Sequence, residues 1–124
     1  MDHNQETIGR PVQIVSISFA NGKTLAEIAA VVDAEGAEHP DIIALPETFL
    51  GQKEHEPETL EGPAVSTMSA LARKHHTYIV CPIDRTDGTH RLNTAVLIDR
   101  QGQVAGLYDK VYPYWSEFDV TPPV

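Results

Sequence analysis

Three side chains in this sequence have complementary chemistry: a carboxylate, an amine and a thiol. Glu47 stands directly after an apolar run, in Asp41-Ile42-Ile43-Ala44-Leu45-Pro46-Glu47-Thr48-Phe49. A carboxylate there can move protons, and burial raises its pKa toward a working range. Lys110 follows a second apolar run, and an ammonium can steady negative charge developing on a reacting atom. The two lie 63 positions apart. Each also has a plainer reading: Glu47 as a turn or helix cap, and the two together as a structural ion pair or solvated surface charges. Cys81 is the one cysteine, set within Tyr78-Ile79-Val80-Cys81-Pro82-Ile83. In such a setting it reads as a small buried hydrophobe with a normal or raised pKa and not as a nucleophile.

The elements that must position these groups follow from hydrophobic spacing. Residues 12–19 cluster Val, Ile and Phe, a first strand. Asn21-Gly22 turns the chain. Residues 23–35 then place Leu25, Ile28, Ala29 and Val32 on one helix face, with Gly36 where a left-handed cap would stand. The run Ile42 to Leu45 is a short strand buried on both faces, ended by Pro46. Residues 51–62 are a surface loop and a candidate pocket rim. Gly62-Pro63 starts a second helix to about Lys74, burying Val65, Met68, Leu71 and Ala72, with Arg73, Lys74 and His75 at its negative end. Strands follow at 77–83, 92–99 and 104–108, joined through turns at Asp87-Gly88 and Gln101-Gly102.

This order, β-α-β-α-β-β-β, fixes geometry. Two helix crossovers make the first three strands parallel, and two short turns give strand five the direction of strand two. The carboxyl ends of strands two and five therefore share one edge of a mixed sheet. Glu47 leaves one end and Lys110 the other.

Composition bounds the partners. The chain has 124 residues, a size for one domain, with a polar tail at 1–11 preceding a domain at 12–124. A net charge of −9 disfavours nucleic acid and anionic membrane as partners. There is no membrane-length apolar run and no signal-peptide core at the N-terminus, and a single cysteine suits a reducing compartment; a cytoplasmic protein is expected. Asn21-Gly22-Lys23-Thr24 ends like a phosphate-binding loop but has Ile17 where the first glycine is needed. His75-His76 point apart on a helix end, a poor metal pair, and His39, His55 and the acidic segment 54–61 read as solvated surface.

Glu47 within Leu45-Pro46-Glu47-Thr48-Phe49, then Asn93-Thr94-Ala95, then Gly106-Leu107-Tyr108-Asp109-Lys110-Val111-Tyr112-Pro113, together resemble the first half of a nitrilase-superfamily carbon–nitrogen hydrolase over residues 12–119. The resemblance implies half of a four-layer α-β-β-α sandwich and a Glu-Lys-Cys mechanism on a small amide, carbamoyl compound or nitrile. Glu47 would be the general base and Lys110 the group that stabilises the tetrahedral intermediate. Glu117, in Tyr114-Trp115-Ser116-Glu117-Phe118, resembles the second glutamate that many members place beside the triad. No metal or organic cofactor is implied. The nucleophilic cysteine of such enzymes lies on a strand after the lysine segment, and that strand is lacking here. The expectation is therefore an N-terminal portion, inactive alone, that associates through a bare sheet face or as a homo-oligomer. Two alternatives remain: a non-catalytic interaction or regulatory module, such as a truncated paralogue pairing with a complete subunit, and a stand-alone enzyme using Cys81.

Overall fold

A computed structural model describes residues 9–51 and 56–111. Five strands and two helices occur in the order β1 (Ile14–Ser16), α1 (Leu25–Gly36), β2 (Ile42–Ala44), α2 (Pro63–His75), β3 (Tyr78–Thr86), β4 (Arg91–Ile98) and β5 (Val104–Asp109). The sheet order is β1-β2-β3-β4-β5, with the first three strands parallel and the last two pairings antiparallel. The α/β class and element order are those expected. The polar tail at 1–8 and the segment after Val111 lie outside the described residues.

Both helices pack on one face of the sheet. Ile43, Ile79, Cys81, Val96 and Ile98 point into that layer, where they meet Ile28 and Val32 of α1 and Met68 and Ala72 of α2. All nine are 1% exposed or less. Burying such side chains contributes roughly 1.5–3 kcal/mol each for the larger aliphatics. The alternate positions Ile42, Ala44, Tyr78, Val80, Ala95 and Leu97 share the other face and are only half-buried. Strand β2 is thus covered on one side, where full burial was expected. It is apolar throughout because its second face is apolar too, although no element among the described residues covers it.

Further expectations are corrected by packing. β1 is three residues long, not eight, because an edge strand can pair only along its neighbour, and β2 has three residues before Leu45-Pro46. Gly36 is the last residue of α1, not a left-handed cap; Ala37 caps in the right-handed conformation. Its small size serves packing, since a Cβ there would stand 2.7 Å from Cγ of His75. That ring holds Asp33 of α1 at 2.6 Å from Nε2 and joins the two helices.

The loop before α2 is also less solvated than its composition suggests. Glu58 is 9% exposed and bridges in parallel to Arg85 of β3, in the space that the short β2 leaves beside it. Its Oε1 accepts the Ala64 N–H at 2.8 Å, capping a helix whose N-cap, Gly62, has no side chain to do so. Thr24, in the segment resembling a phosphate loop, is the N-cap of α1. Thr24 and Glu27 form a reciprocal capping box. Leu71, expected in the core, is partly buried against it.

β3 runs through Pro82 to Thr86, past the expected end at Ile83. Proline is tolerated because residues 80, 82 and 84 turn their carbonyls toward β2 and the loop that follows it. Those carbonyls accept the N–H groups of Leu45, Phe49 and Glu58. The missing N–H of Pro82 faces the same side, so the β4 ladder loses nothing.

Candidate active site

Glu47 is held by the residues on either side of it. Leu45 and Phe49 are 5% and 6% exposed, and their N–H groups bond Val80 and Pro82 of β3. Between these anchors Thr48 stands at φ 39°, and just past the second one Gly51, at φ 84°, closes a turn with its N–H on the Thr48 carbonyl at 2.7 Å. The carboxylate is thereby lifted off the end of β2 toward the open face.

Lys110 reaches the same place from β5. Its N–H donates to the Asn93 carbonyl at 2.8 Å, so Lys110 continues the β4–β5 ladder opposite Asn93, one step beyond the Thr94–Asp109 pair. Asn93 and Lys110 therefore project from one face. The Lys110 ammonium donates to Glu47 Oε2 at 3.0 Å, and Asn93 Nδ2 donates to the same oxygen at 2.7 Å. Topology brings acid and amine to one rim, as the strand order requires. Asn93 joins them; its triplet was legible in the sequence, but the orientation of its amide was not. The side chains of Lys110 and Glu47 are 34% and 60% exposed. As a surface ion pair the contact contributes at most about 1 kcal/mol to stability.

Cys81 stands apart. In register it pairs with Val96, whose other partner is Leu107, all on the helix-covered face. Asn93 and Lys110 have the opposite parity. Burial, and secondarily the Glu58 charge, push the Cys81 thiol up to about 12, so at neutral pH it is neither ionised nor accessible. Glu117 and His55 lie outside the described residues. Among the described residues no three His, Cys, Asp or Glu side chains gather as a metal site, and no helix is long and apolar enough to cross a membrane.

On the helix side of the same strands, Thr94 is fully buried. Its hydroxyl donates to Asp109 Oδ1 at 2.6 Å and accepts from Arg85 Nε at 3.0 Å, and Arg85 also donates to Asp109. The Thr94 hydroxyl, more than the guanidinium, holds the Asp109 carboxyl below its ordinary range.

Comparison with known proteins places the chain and its fold. The profile for carbon–nitrogen hydrolases matches residues 12–122. Among solved structures, the carbon–nitrogen hydrolase from Helicobacter pylori G27 is similar at a TM-score of 0.68 and 16% identity, over 82% of this chain and 40% of that one. A mutant of the amidase from Nesterenkonia sp. AN1, with acrylamide added at its active-site cysteine, aligns at a TM-score of 0.72 and 19% identity, over 86% and 47%. An N-terminal amidase aligns at 0.64 and 18% identity, over 87% and 30%. These likenesses show the fold, and the chain spans less than half the length of each of these structures. The profile match, by contrast, runs through both strand ends that carry Glu47 and Lys110: the chain belongs to the carbon–nitrogen hydrolase family.

Proposed function

We propose that the Glu47–Lys110 rim is the proton-transfer and charge-stabilising part of a thiol-dependent hydrolase acting on a non-peptide carbon–nitrogen bond. Its substrate is a small amide, carbamoyl compound or nitrile. The observation that carries the reading is the convergence of Lys110 and Asn93 on one oxygen of Glu47. An ammonium and an amide fix that carboxylate while its second oxygen can take a proton.

For an amide, a thiol gives its proton to Glu47 and its sulfur bonds to the carbonyl carbon. The carbonyl electron pair moves to oxygen, where Lys110 stabilises it. As the C–O double bond re-forms, the C–N bond breaks and the amine leaves with the proton from Glu47. Water, giving a proton to Glu47 with help from Glu117, then cleaves the thioester and releases the acid and the thiol. The facing of Cys81 toward the helices supports a thiol from outside these 124 residues, and the 124-residue chain alone is then inactive. The reading needs no metal or organic cofactor, and its lone buried thiol suits the cytoplasm.

In the full-length protein, Glu47→Gln and Lys110→Ala each lower kcat for such an amide by roughly a thousandfold with the circular dichroism spectrum unchanged. Near-normal turnover in either variant contradicts these roles. The half-buried apolar face gives one point to a non-catalytic reading, in which the chain pairs with a complete subunit. Under that reading both variants bind the subunit normally and neither alters its turnover.

A further inference from the structure

We infer that Thr94, bonded to Asp109 and Arg85 on the helix side of the sheet, sets the register of β5 and so is the positioning residue for Lys110 on the opposite side. The catalytic consequence rests on the reading above; the register itself does not.

β5 is an edge strand, and among the described residues its own burial does little to fix it. Val104, Leu107 and Tyr108 are 41%, 47% and 63% exposed, so neither face of the strand is strongly buried. Where burial does not choose a face, register is weakly specified, and a one-residue slip moves every side chain to the other side. The turn that joins β4 to β5 does not settle the matter either. Leu97 pairs with Gly106 but Ile98 pairs with Val104, so Ala105 is an extra residue between turn and site. A strand that already absorbs one residue there needs a second fixed point beyond it.

The Thr94–Asp109 pair supplies that point. Lys110 and Asn93 form the hydrogen-bonded pair next to it, which makes Thr94–Asp109 a pair of the closer, non-hydrogen-bonded kind. Its side chains bond at 2.6 Å, and Arg85, 12% exposed at its side chain, closes the group from β3. Thr94 is fully buried, so a partner lost there is not replaced by water. Slipping β5 by one residue would leave the hydroxyl and the guanidinium without their carboxylate. It would also set Asp109 opposite Asn93, facing Glu47 with a second carboxylate in place of the ammonium.

The test compares Thr94→Val, which keeps the shape and removes the hydroxyl, with Thr94→Ser, which keeps the hydroxyl. Register is read in the full chain by the cross-strand Hα–Hα nuclear Overhauser effect between positions 94 and 109. Wild type and Thr94→Ser should show that single register. Thr94→Val should show a second set of β5 signals shifted by one residue, with the β3 core signals unmoved. A single, unshifted register in Thr94→Val overturns the inference. In the full-length enzyme Thr94→Val should lower kcat about 10- to 100-fold at unchanged KM, and Thr94→Ser should restore it. A slipped β5 with wild-type kcat would uphold the register assignment and sink the catalytic reading of the pair instead.

Discussion

At the scale of single residues, parity along the strands separates the proposed site from the packed core. Asn93 and Lys110 face Glu47, while Thr94, Asp109 and Cys81 face the helices, and one step along the chain changes the side. The positions of Glu47 and Lys110 were legible because each follows an apolar run that must be a strand. The buried state of Cys81 was legible for the same reason. The partnership of Asn93 with Glu47 was not, since it depends on an amide rotamer that no spacing encodes. Nor was the role of Glu58, an acid in a loop rich in acids, whose burial depends on β2 being too short to fill the edge of β3. For Cys81 the expected outcome is concrete. In the native chain iodoacetamide should alkylate it at least about a hundredfold more slowly than in urea, since a buried thiol with a pKa near 12 reacts only on opening. Equal rates would show that β3 does not shield it.

At the scale of elements, two helices are fixed at their ends by contacts of different legibility. The Thr24–Glu27 box is a local sequence pattern, although the helix was expected to begin at Lys23, one residue before its cap. Gly36 misled for a physical reason: glycine near a helix end most often supplies a left-handed conformation, and here it supplies space for His75. Gly36→Ala should therefore destabilise the fold by about 1–3 kcal/mol, whereas alanine at an ordinary helix position stabilises. Urea denaturation measures this. A midpoint equal to or above wild type would mean that the His75 ring moves aside without cost.

At the scale of the whole molecule, the described residues cover one face of the sheet and leave the other open. Ile14 and Tyr108 are each 63% exposed, and the half-buried row from Ile42 to Leu97 lies between them. Alternation in the sequence could not reveal this, because both faces are apolar and a strand meant for two layers reads alike whether or not the second is present. Such a face favours association. Light scattering on the 124-residue chain should give a mass above 13.6 kDa, and Tyr108→Lys should lower it; a strict monomer in the wild-type chain contradicts that expectation. The central claim is that chain topology sets Glu47 against Lys110 at one edge. A zero-length carbodiimide, which joins a carboxylate to an amine only in direct contact, tests it in the chain itself. The Lys74–Asp33 pair at 2.9 Å serves as an internal control for the Glu47–Lys110 pair at 3.0 Å. Mass spectrometry should find both cross-linked peptides in the native chain and neither in urea. Recovery of the Lys74–Asp33 link without the Glu47–Lys110 link would contradict the account.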